Sequence, residues 1–304
     1  RAQPLPFEVD ELPDEELDAD ELWDQRERQY KKRSAAEDAR KLIPVKVKTP
    51  GPIAIAFVGD IHIDNPGCNL PLLREHTKII AETDGMFAVA VGDLQDAWVG
   101  RLARLWAQQG ISGKQAYLLA KKWIEEISPK LLAIIWGNHD AWAVGVNDVA
   151  PLEWVASQAG VLHERDGIRL ALNLPGGQSY TINARHDFRG RSQYNPAHGL
   201  TKANMFGWAD DIMVAGHTHE TGHTARKNPM TGRVAHMIRC ASYKYIDNYA
   251  KSEGFPDGNI TECPVAIIDP ACADKRHSIT IDYNPARAAA VLKMLRAEWK
   301  RKSQ

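Results

Sequence analysis

Ile53-Ala54-Ile55-Ala56-Phe57-Val58-Gly59-Asp60-Ile61-His62 passes from an unbroken apolar run into a Gly-Asp-Ile-His turn. A short continuous apolar run fits a strand covered on both faces. The turn then places a carboxylate and an imidazole at the strand's carboxyl end. The same order recurs along the chain. Met86 to Val91 leads to Gly92-Asp93-Leu94-Gln95-Asp96, and Leu131 to Trp136 leads to Gly137-Asn138-His139-Asp140. Ser179 to Ala184 leads to Arg185-His186-Asp187, and Ile212 to Ala215 leads to Gly216-His217-Thr218-His219. Open α/β sheets bind ligands beyond the carboxyl ends of their strands. Repeated delivery of oxygen and imidazole donors to one rim points to a site for more than one metal ion.

Helical spacing separates the first of these strands. Pro71 to Glu82, Trp98 to Gln109, Ser112 to Ile127 (with Ser112 as N-cap) and Pro151 to Ala159 read as helices. This alternation predicts βαβ units and a largely parallel sheet. Later strands, Ile168 to Leu172, Ser179 to Ala184, Ile212 to Ala215, Val234 to Ala241, Pro264 to Ile268 and Ser278 to Tyr283, predict a second sheet with more antiparallel pairing, packed on the first. Residues 51–285 are expected to form one domain. Residues 286–304 add a C-terminal helix with Val291, Leu292, Leu295 and Trp299 along one stripe.

Residues 1–50 differ in composition. Glu8 to Asp24 is acidic and Arg26 to Lys48 mainly basic, with too few apolar residues to close a core. We expect a charged helical extension that either docks a partner or a second subunit, or serves as a solvated surface helix. The 304 residues are 44% hydrophobic and 25% charged, values of an ordinary globular protein. A formal net charge of -1 provides no general attraction to nucleic acid. No apolar run has the length of a membrane span and no secretory signal is visible, so a cytoplasmic protein without a membrane partner is expected. Cys68, Cys240, Cys263 and Cys272 lack zinc-ribbon spacing and are expected as free thiols.

Asp60 and His62 lie two apart, so an extended chain points both to one side. Asp93 can reach the same place and use two oxygens to bridge a pair of ions. Asn138 offers a neutral oxygen, and His186, His217 and His219 add imidazoles. This donor set suits Mn, Fe or Zn. Two ions ~3.5–4 Å apart clamp a phosphoryl oxygen and convert a bridging water into a nucleophile. His139, beside Asn138 yet free to point elsewhere, is the candidate general acid.

In this order, Asp-x-His, Gly-Asp-x-x-Asp, Gly-Asn-His-Asp, a lone His and Gly-His-x-His resemble the calcineurin-like metallophosphoesterase superfamily, over roughly residues 53–285. The resemblance implies an α/β four-layer sandwich of two mixed β-sheets flanked by α-helices, with a dinuclear centre at one rim. It implies that Asp60, His62 and His219 hold one divalent ion, that Asn138, His186 and His217 hold the other, and that Asp93 is shared. Mn is the expected metal, with Fe, Zn or Ni as alternatives. His139 would assist the leaving group, and Asp96 and Asp140 would orient neighbouring groups. His198 competes with His186 for the lone-histidine position; the strand before His186 favours the latter.

Departures from the family's variants narrow the expectation. Its protein Ser/Thr phosphatases carry Arg-Gly after the second Asp of Gly-Asp-x-x-Asp and Glu after Gly-Asn-His. Here the residues are Ala97-Trp98 and Asp140. Gly-Asn-His-Asp is more similar to the family's phosphodiesterases and DNA-repair exonucleases, and Arg185 to Gly199 resembles members encoded by phages and prophages. The resemblance therefore implies a phosphodiesterase or nuclease acting on a nucleotide or nucleic acid; the alternative is a phosphomonoesterase for a small metabolite or nucleotide. Asp-Ala-Trp occurs at 96–98 and again at 140–142. Each Trp either stacks on a base or packs beneath its loop. Arg185, Arg189 and Arg191 either grip a phosphate or are ordinary loop charge.

Overall fold

A computed structural model describes residues 16–144, 150–246, 250, 251, 254 and 262–303. The chain divides into two compact units, residues 1–41 and 42–304. The first contains helix α1 (Ala19–Arg40), which starts in a reciprocal cap between Asp18 and Glu21 and buries none of its residues. Trp23 and Tyr30 are exposed on it.

The second unit contains two six-stranded sheets. Sheet one joins β2 (Ile53–Val58), β3 (Met86–Ala90), β4 (Leu131–Ile135), β5 (Leu162–Glu164), β11 (Val265–Ile268) and β12 (Ile279–Asp282), in the order β12-β11-β2-β3-β4-β5. Sheet two joins β1 (Ile43–Lys46), β6 (Ile168–Asn173), β7 (Ser179–Ala184), β8 (Ile212–Ala215), β9 (Gly222–Lys227) and β10 (Val234–Arg239), in the order β1-β6-β7-β8-β10-β9. Helices α2 (Leu70–Glu82), α3 (Gly113–Ile127), α4 (Asn138–Trp142), α5 (Pro151–Gln158), α6 (His198–Phe206) and α7 (Pro285–Lys302) complete the unit.

Side-chain alternation along β2 builds the layers. Ile53, Ile55 and Phe57 meet Leu170, Leu172, Ile182, Val214 and Ile238 of the other sheet in one core. Ala54, Ala56 and Val58 face a second core containing Leu73 and Ile80 of α2, Trp123 and Ile124 of α3, and Leu292 of α7. Beyond sheet two, Leu200 of α6 packs with Met213 and Met237. Each central strand therefore has two apolar faces, which is why its sequence reads as a continuous run.

Several details differ from the sequence expectation. Sheet two is no more antiparallel than sheet one: its β1·β6, β7·β8 and β8·β10 pairs are parallel, and only β6·β7 and β9·β10 are antiparallel. Helix α6 supplies the crossover that parallel β7 and β8 require. Sheet one also draws β11 antiparallel onto β2 from far along the chain. Ile43–Lys46, within the charged first fifty residues, is an edge strand of sheet two. The helix expected at Trp98–Gln109 is a 3-10 segment, Gly100–Gln108. All four cysteines are free. Among the described residues no helix is long and apolar enough to cross a membrane.

Candidate metal centre

The five donor-bearing loops leave the carboxyl ends of β2, β3, β4, β7 and β8. A sharp exit that turns a side chain back across the strand end needs backbone angles that L residues rarely adopt. Asp60, His62, Asp93, His217 and His219 all have positive φ, from 44° to 77°. Bonds between loops hold this geometry: Asp60 N–H donates to Gly92 O at 3.1 Å, and His62 N–H to Asp93 O at 2.9 Å. The motif glycines leave space for a neighbour's carboxylate. A Cβ on Gly137 would collide with Asp93 Oδ1, and one on Gly216 with Asp60 Oδ2.

The seven predicted donors come together. Asp60, His62 and His219 form one group, Asp93, His186 and His217 another, and His62, Asp96 and His139 a third that shares His62 with the first, the donor atoms of each lying within 4.8 Å of one another. His62 Nε2 is 3.1 Å from His219 Nε2, which is 3.6 Å from Asp60 Oδ1. His186 Nε2 lies 3.1 Å from both His217 Nδ1 and Asn138 Oδ1, and 3.2 Å from Asp93 Oδ2. Asp93 Oδ2 is also 3.9 Å from His62 Nε2, so one carboxylate oxygen faces both the first and the second group. His198, the competitor of His186, is exposed at the start of α6 and joins none of them.

This arrangement fits divalent cations. His186 donates from Nδ1 to Val91 O at 2.8 Å, and His62 Nδ1 is 2.7 Å from Asp96 Oδ1. Neutral rings fixed this way aim bare Nε2 lone pairs inward, towards carboxylate oxygens, and only a cation or a proton makes that arrangement favourable. The charge states show the same crowding. Burial, helped by the charge of Asp93, pushes Asp60 up to about 7. Burial opposes charge on Asp93 too, but His186 holds its carboxyl below the usual range. Burial likewise opposes charge on His186, yet Asp93 raises that ring to about 10. His217 is pushed down to about 4 by burial and then by His186. Groups that compete this strongly for protons are ones from which a metal displaces them.

His139 stands beside the donors. Its N–H donates to Asp93 Oδ1 at 3.0 Å and its Nδ1 lies 2.5 Å from Asp96 O. Burial lowers its ring below the ordinary histidine value. Asp140 accepts from Gly137 N and Leu94 N, both at 2.9 Å, and so ties the β3 and β4 loops together. Burial, then Asp93, raises it to about 7. Trp98 and Trp142 flank the His139 ring at 5.1 and 4.3 Å between centroids.

Sequence reasoning missed the groups around Asp96. Its Oδ2 accepts from Gln109 Nε2 at 2.7 Å and Asn65 Nδ2 at 2.5 Å, and Lys244 Nζ, itself buried, is 3.6 Å from Oδ1. None of these side chains lies in a recognisable motif; only the buried acid they surround marks them. Arg239, 1% exposed, was missed as well; it donates to Asp187 Oδ1 at 2.9 Å and Gly216 O at 2.5 Å, clamping the β7 and β8 loops. Arg185 lies over the Trp208 ring at 4.5 Å and Arg191 pairs with Asp187 at 3.1 Å, while Arg189 is exposed. His223 stacks on His236 away from the donors.

No protein-family model matches the chain, and no curated protein matches its sequence. Solved structures similar to it include a metallophosphoesterase from Sphaerobacter thermophilus (14% identity, 80% of this chain and 93% of that one, TM-score 0.39). Others are the calcineurin-like phosphoesterase YfkN from Bacillus subtilis (11%, 83% and 99%, TM-score 0.38) and the nuclease MPE from Pseudomonas putida (13%, 73% and 85%, TM-score 0.34). Scores this low leave the weight on the chain's own residues. The ordered motifs meet at one rim of two mixed six-stranded sheets flanked by helices, the arrangement that their resemblance to the calcineurin-like metallophosphoesterase superfamily implies.

Proposed function

We propose that the protein is a hydrolase of phosphate esters that uses two divalent metal ions, and that its substrates are phosphodiesters of nucleotides or nucleic acid. The observation carrying the proposal is the pair of donor groups with Asp93 Oδ2 facing both. Asp60, His62 and His219 would hold one ion, Asn138, His186 and His217 the other, and Asp93 would serve both. Manganese suits this mixture of imidazole and carboxylate. When bound, such a pair supplies Lewis acidity towards the phosphoryl oxygens and an acidified water as nucleophile.

The chain's own side chains do the remainder. Asp96 O fixes His139 through Nδ1, which leaves Nε2 to face the ester. A phosphoryl anion arriving beside His139 favours its imidazolium form, offsetting the burial that lowers it. The ring then protonates the departing oxygen. Asp96 and Asp140 keep His62, His139 and the β3–β4 loops in register. The diester preference rests on Asp140 standing where protein phosphatases of the superfamily carry Glu.

Purified protein with added Mn should hydrolyse bis-p-nitrophenyl phosphate and single-stranded DNA faster than p-nitrophenyl phosphate. Brisk monoester cleavage with no diester turnover would sink the diester assignment and leave a phosphomonoesterase.

A further inference from the structure

A cavity of about 270 Å³ shares two walls with His139. Trp98 and Trp142, which flank the His139 ring, also line the cavity, and Trp106, Trp136 and Tyr117 supply further aromatic wall. Its size is near the lower end for ligand sites, enough for a ring and little more. A phosphate gains nothing from such walls, whereas a flat ring gains stacking on them. Gln95 also lines the cavity, is 6% exposed and has no hydrogen bond among the described residues, so its amide is available to a ring's polar edge. The two walls beside His139 come from the two Asp-Ala-Trp repeats, one after each of two adjacent parallel strands.

We infer that this cavity receives the leaving group of the ester, and that the leaving group carries a heteroaromatic ring of the nucleobase class. The inference rests on the hydrolase proposal, because it takes His139 as the acid that faces the departing oxygen. It adds the side of the scissile bond on which the ring sits. It also gives the repeated tryptophans a role in choosing the substrate.

Gly113, the first residue of α3, lines the cavity, and a Cβ there would come no nearer than 3.9 Å to Trp106. Gly113→Phe therefore fills the cavity from a position that tolerates a side chain. The test compares kcat/KM for a dinucleoside monophosphate and for diglyceryl phosphate, both of which release an alkoxide. Quenching of tryptophan fluorescence by adenosine, in the Mn-loaded protein, is followed in parallel. The wild type should prefer the dinucleoside ester about tenfold or more, as stacking of one base provides. In Gly113→Phe, and separately in Trp106→Ala, the preference and the quenching should both fall severalfold while diglyceryl phosphate turnover stays level. Equal turnover of the two esters by the wild type, or a preference and quenching unchanged in both variants, would overturn the inference. Hydrolysis of neither ester while adenosine still quenches in a Gly113-dependent way would overturn the hydrolase proposal and leave a ring-binding site.

Discussion

His139 is tied down through its own N–H and its Nδ1, neither of which a metal would need. His139→Ala should therefore lower kcat by ~10²–10⁴-fold, the usual worth of a positioned acid. Metal content by elemental analysis should stay at two ions per chain, and a parallel loss of metal would show that the ring is itself a ligand. Asp96 Oδ1 lies 2.7 Å from His62 Nδ1 and fixes that ring, so Asp96→Asn should weaken metal affinity by roughly 10–100-fold, read by competitive titration with a chelator. The seven side chains that converge at the rim were legible in the sequence because each belongs to a run of Asp, His and Asn that follows a strand-like segment. Lys244, Gln109 and Asn65 were not, since a residue that merely neutralises or bonds Asp96 can come from anywhere in the chain.

Strands and loops give the next set of consequences. Gly137 is occupied sterically by Asp93, so Gly137→Ala must push the β3 and β4 loops apart. A loss of about 1–3 kcal/mol in urea unfolding is expected, with weaker metal binding; unchanged stability would mean the loops yield freely. On the β9–β10 hairpin, burial pushes His236 down to about 4 and also lowers His223. The folded state thus favours the neutral His236 ring, while the unfolded chain takes up a proton below about pH 6.5. Stability from this ring is complete above that pH and is lost as pH falls towards 4, by on the order of 2 kcal/mol. Unfolding midpoints of the wild type and His236→Gln between pH 7 and 4.5 should converge as the pH falls, and parallel curves would refute the assignment. Continuous apolar runs made the central strands easy to read. β1, β5 and β9 escaped because they are short and half-exposed, with Lys, Arg, His and Glu where a buried strand has Ile or Val.

At the scale of the whole molecule, the site is a concentration of buried charge that bound cations would relieve. Removing metal with EDTA should lower Tm by roughly 5–15 °C, the effect of losing a ligand held at about a thousand times its Kd in a domain of this size. Re-addition of Mn should restore Tm, and identical melting curves would contradict a resident metal. The two-layer β architecture was legible because all five donor runs follow strand-like segments. The balance of parallel and antiparallel pairs was not, since pairing depends on which distant segments meet.

One such meeting governs how the molecule comes into being. β2, which ends at the first donor loop, needs β11 alongside it, and β11 lies more than two hundred residues downstream. During synthesis the first donors therefore emerge from the ribosome long before their strand has its neighbour, and the central sheet closes only when the distal segment arrives. The nascent chain therefore carries its apolar β2 without this neighbour on one edge until the distal strands are made, a stretch of synthesis in which that edge is open to aggregation.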